Sequence, residues 1–385
     1  MKKYAYTIFI VIAVLVAYFF PQYFIEVGGV KLTTLVLPML QVIMFGMGTT
    51  MTAEDFMGVI RNPKGVFIGL FCQFSIMPFV GFFITLLFNF PPEIAAGIIL
   101  IGSSPSGLAS NVMAYIAKAN VPLSITITSC ATLLAPFLTP FFMKTLGGGY
   151  IDINFWKMMW DITKIVILPI AIGYIINRYY LANRKMPIYI GFLVMLMIIV
   201  LINGQKLIDT ISNLFSMDSL SLRSFVFRLL IQIAVIILIH FGIKNFSVQL
   251  KKYLPQILPL ISMAGIAYVI MTVTAAGHDA LVTVGALLLL AVLIHNLAGF
   301  LFGFYLAKLF KLPEQDCRTV AIEVGLQNGG LASGLAIQMG KAATVGLAAA
   351  LFGPLMNITG SLLASYWSKK PVINPDPSLT PDRPL

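Results

Sequence analysis

Long apolar stretches alternate with short polar segments along the whole chain. The apolar stretches cover roughly residues 4–20, 33–52, 64–88, 93–117, 122–146, 157–180, 188–203, 221–243, 255–276, 281–310, 314–338 and 343–367. A transmembrane helix needs about 20 mostly apolar residues, and most of these stretches reach that length. Their apolar residues are continuous rather than alternating, which argues against a membrane β-barrel. The pattern therefore predicts an all-α polytopic membrane protein.

The composition supports this prediction. Of the 385 residues, 59% are hydrophobic and only 10% are charged, whereas soluble domains carry about 25% charged residues. We therefore expect a lipid bilayer around the protein. The net charge of +11 does not indicate nucleic-acid binding, because Lys and Arg cluster in short loops between the apolar stretches. The three cysteines have no metal-ligand spacing.

The distribution of basic residues predicts the orientation. If the N-terminus is inside, most Lys and Arg residues fall on inside loops, as the positive-inside rule requires. Both termini are therefore predicted to be cytoplasmic, with the first apolar stretch retained as a helix. The tail, residues 369–385, is rich in proline and polar residues, and we expect it to be disordered.

Two of the stretches are interrupted at their centres. One is broken by Pro105 within the sequence GSSPSG, and the other by Gly329 and Gly330 within GLQNGG. Free backbone groups are costly in lipid, so a broken span persists only where protein or a wet cavity satisfies those groups. One broken span in each half of the chain is typical of a transporter binding site. Two well-packed kinks without a function are the alternative.

Glu323 is the only acidic residue well inside its stretch, and an ionisable group at membrane depth indicates a functional site. The alternative places Glu323 near the interface, paired with Arg318. Further oxygen-bearing side chains lie at membrane depth: Gln73, Ser110, Asn111, Ser124, Thr128, Thr132, Gln327 and Asn328. Hydroxyl, amide, carboxylate and backbone oxygens suit an alkali cation better than a soft transition metal. Taken singly, each Ser or Thr could equally be a hydrogen-bonding contact between helices.

The charge balance at the site limits the chemical class of substrate that we expect. One buried carboxylate cannot neutralise two sodium ions, and a bound monoanion would bring the occupied site close to neutral. The N-terminal ends of broken half-helices also favour negative charge. An organic carboxylate is therefore expected rather than a sugar or an amine.

At these residues the chain resembles the bile acid:sodium symporter family, including its bacterial members. The matching sequences are SSPSGLASNVMAY, LSITITSCATLLAPFLTP, LIHNLAGFLFGF, IEVGLQNGGLA and MNITGSLLA. The resemblance implies ten core helices in two inverted five-helix repeats, with a panel domain facing a core domain in which the broken helices cross. It also implies the inner (plasma) membrane of a bacterium.

The resemblance divides the chain into four parts. The first repeat covers residues 1–150, and the second covers 151–183 and 253–368. Residues 184–252 form an inserted helical pair that the family usually lacks, and residues 369–385 are the tail. We expect both inserted helices to lie outside the two-repeat core, because the recognised polar motifs lie elsewhere in the sequence.

The resemblance also implies two sodium sites and a substrate site. The first sodium site would use Ser110, Asn111, Ser124, Thr128 and Glu323. The second would use Gln73, Glu323, Gln327 and the backbone carbonyls of Val324 and Leu326. The substrate, a bile acid-like, pantoate-like or small keto acid, would lie near Leu108, Asn111, Asn328 and Asn357. The chain differs from the family's pattern at two of these positions. Leu108 stands where many relatives have threonine, and Leu326 stands where methionine is frequent.

Three other classes of protein remain alternatives. A membrane enzyme would need a nucleophile–base pair, a metal-ligand cluster or an acidic pair, and the scattered His240, His278 and His295 supply none of these, so no enzyme activity is expected. A proton-coupled organic-anion carrier typically has adjacent acidic residues where this chain has Ser110 and Asn111. A non-transporting sensor is the third alternative. Sodium-coupled symport by a monomer is the preferred prediction.

The substitution Leu108→Thr tests the departure at that position. Leucine offers an apolar surface where a hydroxyl is common, so we expect the variant to change the relative affinities among organic carboxylates more than it changes sodium dependence. Competition assays over a panel of organic acids, run in parallel on both proteins, measure this. An identical ranking for the two proteins would exclude Leu108 as a selectivity residue.

Overall fold

The computed structural model describes residues 5–27, 30–107, 109–183 and 263–372. In chain order, its helices and strands are α1 (Ala5–Phe19), α2 (Gln22–Ile25), β1 (Glu26–Val27), β2 (Val30–Lys31), α3 (Val36–Thr50), α4 (Gly58–Arg61), α5 (Pro63–Phe88), α6 (Pro92–Gly102), α7 (Ala109–Ile116), α8 (Val121–Phe142), α9 (Phe155–Ile162), α10 (Leu168–Asn183), α11 (Met263–Ala276), α12 (His278–Leu309), α13 (Glu314–Gly325), α14 (Gly329–Gln338) and α15 (Val345–Ser368). Short 3-10 turns at Leu32–Leu35 and Ala53–Phe56 precede α3 and α4. Within these residues the structure is almost entirely helical.

These helices match the predicted apolar stretches closely. Six helical stretches among the described residues are long and apolar enough to cross a membrane. The predicted stretch 157–180 corresponds to α9 and α10, which are joined by one π-helical turn at Thr163–Ile167. The predicted stretches 188–203 and 221–243, the inserted pair and almost all of the tail lie outside the described residues.

Asparagine side chains fix where several helices begin. Asn62, Asn120, Asn154 and Asn328 each accept a hydrogen bond from the backbone N–H three residues later, at about 3 Å. Such capping satisfies one of the N–H groups that a helix start leaves free. In α5 and α8 a proline occupies the first or second helical position, where no N–H is needed. Polar loop residues therefore set the helix boundaries that the apolar pattern only approximates.

Large apolar side chains point outward over much of the surface. Phe67, Phe83, Leu87 and Leu362 are each more than 60% exposed. A water-soluble protein rarely shows so many exposed aromatic and aliphatic groups together. These side chains are the surface that faces lipid.

The interior is built around the two broken spans. The first consists of α6 and α7, and the second of α13 and α14. Helices α5 and α15 pack on α6, α12 packs along α13, and α3 pairs with α10. Every described residue of α6 from Ile94 to Gly102 is buried, so this half-span lies at the centre of the helix assembly.

Polar contacts anchor the beginning of each broken span. At the start of α13, the Asp316 carboxylate accepts hydrogen bonds from the Asn62 side chain at 2.9 Å and the Asn120 side chain at 2.7 Å. At the start of α6, the Glu93 carboxylate bonds to Lys341 and to the Thr344 hydroxyl. Each half-span is thereby held to the loops at its own end of the molecule.

Candidate functional site

The two chain breaks lie against each other and exchange backbone hydrogen bonds. The N–H of Gly107 donates to the Leu326 carbonyl at 3.0 Å, and the N–H of Asn328 donates to the Pro105 carbonyl at 2.8 Å. Ser106 and Gln327 thereby form an isolated antiparallel bridge. The non-helical backbone expected from the proline and glycine residues is therefore satisfied by the other break.

Half-helices α7 and α14 begin immediately after these breaks. Their N-terminal ends point their free N–H groups and positive dipole ends into the region of the bridge. Half-helices α6 and α13 end there, so their last carbonyl groups lack the partners that a continuous helix would supply. The bridge therefore offers groups for both an anion and cations within one small region.

Glu323 lies in α13, fully buried, within a cluster of hydroxyl groups. Its Oε2 accepts a hydrogen bond from the Thr128 hydroxyl at 2.7 Å, and its Oε1 accepts one from the Ser124 hydroxyl. Both donors lie on one face of α8, four residues apart. The Ser110 hydroxyl of α7 lies 3.2 Å from the Thr128 hydroxyl, and the Asn111 side-chain oxygen lies 2.9 Å from the Ser124 hydroxyl.

The structure therefore brings together all five residues predicted for the first sodium site. We call this set the Glu323 cluster: Ser110, Asn111, Ser124, Thr128 and Glu323. It joins α7, α8 and α13. Thr132, which shares the α8 face, is not part of it, because the Thr132 hydroxyl donates to the backbone carbonyl of Thr128 at 2.7 Å.

The interfacial alternative would require Arg318 to pair with Glu323, but the guanidinium has other partners. It pairs with Glu314 and donates to the carbonyls of Ala117 at 3.1 Å and Trp367 at 3.3 Å. The arginine thus satisfies carbonyls at the ends of α7 and α15. The hydrogen bonds to the Glu323 carboxylate come instead from the hydroxyl groups of Ser124 and Thr128.

A second cluster lies on the other side of the bridge. The Gln73 side-chain amide in α5 donates to the Gln327 side-chain oxygen and to the Ser104 carbonyl, both at 2.9 Å. The Gln327 amide donates in turn to the Val324 carbonyl at 2.6 Å. Within the part of the chain that the structure describes, the Gln73 side-chain oxygen is buried without a hydrogen-bond partner. We call Gln73, Val324 and Gln327 the glutamine cluster.

Two members of the predicted second sodium site fit this cluster less directly. The Leu326 carbonyl accepts the bridge hydrogen bond from Gly107, which leaves it one lone pair for a further contact. The hydrogen bonds of Glu323 go to Ser124 and Thr128 in the other cluster. A carboxylate shared between the two sites therefore stays a prediction.

Three of the four predicted substrate residues are described, and they lie on helices next to the same bridge. Asn111 and Asn328 are both partly exposed, and Asn328 caps α14 through its side-chain oxygen. Asn357 is buried on α15, where its amide donates to the Gly353 carbonyl at 2.7 Å. Helix α15 runs beside the second break, since a Cβ on Gly360 would lie 3.1 Å from the Leu326 side chain. Leu108 lies outside the described residues.

Some site residues escaped the sequence reasoning. The Ser106 hydroxyl, at the bridge itself, is buried without a hydrogen-bond partner among the described residues. The buried Asn296 and the partly buried Thr359 form a polar pair beside the second break. A repeated sequence could have drawn attention to the region: Gly-Leu-Ala-Ser occurs at 107–110 and again at 330–333, at the start of the second half of each broken span.

The Glu323 cluster places uncharged oxygen donors around one carboxylate, whereas the glutamine cluster consists of amide and carbonyl oxygens. Among the described residues, no three His, Cys, Asp or Glu side chains lie close enough to hold a metal ion together. Hydroxyl, amide and carbonyl oxygens suit a hard monovalent cation. The arrangement can therefore bind such an ion.

Known proteins resemble the chain over most of its length. Residues 37–213 match the Sodium Bile acid symporter family. The protein named "Uncharacterized sodium-dependent transporter YocS" of Bacillus subtilis is 31% identical over 331 residues, which are 86% of this chain and 82% of that relative. The "Probable sodium/metabolite cotransporter BASS1, chloroplastic" of Arabidopsis thaliana is 27% identical over 86% of this chain and 66% of its own length. The human "Ileal sodium/bile acid cotransporter" is 27% identical over 80% of this chain and 71% of its own length.

These relatives are sodium-dependent transporters and cotransporters, not enzymes. The apolar helices, the broken spans and the matched sequence agree with one another. The chain is a multi-pass membrane protein that belongs to the sodium bile acid symporter family.

Proposed function

We propose that this protein is a secondary active transporter that couples the entry of sodium to the entry of an organic anion. The observation that carries the proposal is the Glu323 cluster, in which one carboxylate, three hydroxyls and an amide meet beside a broken span. The sodium dependence of the relatives supports the choice of ion. Sodium is here a transported substrate rather than a resident cofactor.

Two sodium ions are proposed, one in each cluster. The Glu323 cluster supplies a negative charge and short hydroxyl side chains from three helices. The glutamine cluster supplies amide and carbonyl oxygens, including the buried Gln73 oxygen that otherwise has no partner among the described residues. A buried polar atom without a partner costs about 1–3 kcal/mol, which a bound cation would offset.

The anion is proposed to lie between the N-terminal ends of α7 and α14. These ends favour negative charge, and Asn111 and Asn328 are partly exposed there. With two sodium ions and one glutamate, a monoanion makes the loaded site neutral. A carboxylate with an apolar portion, as in bile acids, pantoate or small keto acids, fits the apolar character of the surrounding helices.

We interpret the two broken spans as equivalent halves of an inverted repeat. Both begin with a Pro-Glu pair, at 92–93 and 313–314, and both carry Gly-Leu-Ala-Ser after the break. The breaks pair antiparallel, with α6 beside α14 and α7 beside α13. Both features support repeats that run in opposite directions through the membrane, with both termini cytoplasmic.

The two equivalent half-helices differ in exposure, which supports alternating access. In α14, residues Leu331–Ala336 are buried, and its glycine face packs against Leu40 of α3. In α7, by contrast, Val112 is 56% and Tyr115 52% exposed. With the proposed orientation, α7 lies on the cytoplasmic side and α14 on the outer side. The structure then corresponds to an inward-facing state, closed where α14 meets α3.

Replacing Glu323 by glutamine tests the proposed coupling. The change keeps the size of the side chain but removes its charge. At an effective dielectric constant of about 20, a charge 4 Å away contributes about 4 kcal/mol before desolvation is subtracted. If about a third of that survives, sodium binds roughly tenfold more weakly. Uptake of labelled organic acids by vesicles under a sodium gradient should be lost in the variant.

Two controls make this test decisive. A proton gradient replaces the sodium gradient in one arm, and potassium replaces sodium in another. Uptake by the unmodified protein that follows the proton gradient alone would establish the proton-coupled carrier instead. Intact sodium-driven uptake in Glu323→Gln would refute the role of the carboxylate.

Thr128 and Thr132 offer a matched pair on one helix face. Both are buried threonines of α8, but only the Thr128 hydroxyl reaches Glu323. A ligand specific for the folded protein raises its melting temperature, and the rise grows with the logarithm of its affinity. We expect Thr128→Val to reduce the sodium-dependent rise in melting temperature in detergent, and Thr132→Val to leave it nearly unchanged. Equal losses in the two variants would argue against the assigned ion site.

The contact between α14 and α3 tests the assignment of the inward-facing state. A Cβ on Gly334 would collide with the Leu40 side chain, and one on Gly330 would lie 3.2 Å from it. Gly334→Val should therefore prevent closure on the outer side and shift the population outward. We expect slower labelling of a cysteine at Val112 by a membrane-impermeant maleimide applied from the cytoplasmic side.

The labelling needs a matched glycine variant and a cysteine-free background. Gly285→Val in α12 is suitable, since a Cβ there meets only ordinary contacts of 3.7 Å and more. Cys72, Cys130 and Cys317 are replaced in all proteins. Unchanged labelling in Gly334→Val would contradict the proposal that this contact closes the outer side.

A further inference from the structure

Asn296, which is buried, and Thr359, which is partly buried, form a hydrogen-bonded pair beside the second chain break. The Asn296 side chain of α12 is fully buried, and its amide nitrogen donates to the Gly325 carbonyl at 2.7 Å. The Thr359 hydroxyl of α15 donates to the Asn296 side-chain oxygen at 2.5 Å. The pair thus joins three helices at the point where α13 ends.

The Gly325 carbonyl is free to accept this bond because the helix breaks there. In a continuous helix, the carbonyls of Val324 and Gly325 would accept from the N–H groups of Asn328 and Gly329. Those two N–H groups donate instead to the carbonyls of Pro105, at 2.8 Å, and Gln327, at 3.1 Å. Two carbonyls at membrane depth therefore need other partners.

The two carbonyls receive different partners. Gly325 is satisfied by Asn296, which belongs to a neighbouring helix and lies behind the break. Val324 is contacted by the side chain of Gln327, inside the glutamine cluster. The Asn296 bond therefore holds the Gly325–Leu326 peptide. This peptide is next to the Val324–Gly325 peptide, so the bond limits how far the Val324 carbonyl can turn away from the glutamine cluster.

Thr359 supports the orientation of the Asn296 amide that the break requires. The Gly325 carbonyl can only accept a hydrogen bond, so it takes the nitrogen end of the amide. The Thr359 hydroxyl meets the oxygen end, and it also lies 2.9 Å from the Leu355 carbonyl of its own helix. Without that hydroxyl, the Asn296 oxygen loses its donor, and the amide is held less firmly against the Gly325 carbonyl.

Close packing makes the backbone sensitive to this pair. A Cβ on Gly299, one turn along α12 from Asn296, would lie 3.1 Å from the Val324 carbonyl oxygen and 3.0 Å from Gly325 Cα. The absence of a side chain at Gly299 lets α12 lie directly against the end of α13. Small displacements of α12 are therefore transmitted to the Val324 carbonyl.

We infer that Asn296 and Thr359 are positioning residues for the second sodium ion: they hold the end of α13 so that the Val324 carbonyl faces the glutamine cluster. Neither side chain contacts the ion. The inference rests on the proposed function, because it assigns a role within the proposed second ion site. The inferred role concerns the second ion site alone, because neither Asn296 nor Thr359 belongs to the Glu323 cluster.

Thr359→Val tests the inference with little change in shape. The substitution removes only the hydroxyl that orients Asn296. Loss of one neutral hydrogen bond should weaken sodium binding about fivefold, and Asn296→Leu should weaken it more. The midpoint of a sodium titration, followed by melting temperature in detergent with potassium keeping the ionic strength constant, measures the effect. The matched control is Thr272→Val in α11, whose buried hydroxyl bonds only to carbonyls of its own helix.

A double-mutant cycle distinguishes positioning from a general loss of stability. In a Gln73→Leu background, where the second site is already damaged, Thr359→Val should not weaken sodium binding further. In a Ser124→Ala background, where only the first site is damaged, it should still weaken binding about fivefold. A merely structural role of Thr359 would lower the melting temperature equally with sodium and with potassium in every background.

The outcomes separate this inference from the proposed function. If the unmodified protein shows no sodium-dependent stabilisation, both are overturned. If it does, and Thr359→Val titrates like Thr272→Val, the inference alone is overturned. The same holds if the effect of Thr359→Val is as large in the Gln73→Leu background as in the unmodified protein.

Discussion

The hydrogen bonds between the two chain breaks are the interaction on which the rest of the structure depends. A membrane-spanning segment cannot leave backbone N–H and C=O groups unpaired, because each unpaired group costs several kcal/mol in lipid. Pro105 and the glycines around 329 create such groups in both broken spans. Each break can persist at membrane depth because the other satisfies it, through the bonds of Gly107 to Leu326 and of Asn328 to Pro105.

This mutual dependence also explains how a carboxylate can be buried at Glu323. The bridge brings α7 and α13 together, and α8 packs against both. The hydroxyls of Ser124 and Thr128 then lie within reach of the carboxylate oxygens. A buried charge without donors or a counter-ion would be strongly destabilising. The hydroxyls reduce that cost only in part, because they carry no positive charge, and the cluster therefore favours a cation.

The sequence predicted the helices well, for identifiable reasons. Spans are encoded by apolar length, and the breaks by proline and glycine, both of which are local properties. The spacing of Ser124, Thr128 and Thr132 by four places them on one face of a helix. Spacing alone does not show which hydroxyls reach Glu323, and the Thr132 hydroxyl bonds back to the Thr128 carbonyl. The division of residues into sites came from the family resemblance.

Contacts that join distant parts of the chain could not be predicted in the same way. Asn62 and Asn120 look like ordinary loop residues, yet both bond to Asp316. In the sequence, Asn296 is a single amide within an apolar stretch. Its importance depends on which carbonyl of α13 it meets, and that follows from the register of α12 against α13. Such a register is set by packing over the whole helix, including the close approach at Gly299.

In the proposed mechanism, the coupling between the two ions follows from how little chain separates their sites. Glu323 lies on the last turn of α13, and Val324 and Gln327 follow within four residues, so a single short segment carries ligands of both clusters. That segment is fixed by the bridge on one side and by α12 on the other. An ion that orders the segment from one side therefore prepares the ligands on the other, at no further cost in backbone entropy. The N-terminal end of α14 begins two residues after Gln327, and the anion that it attracts would meet a segment already ordered by both cations.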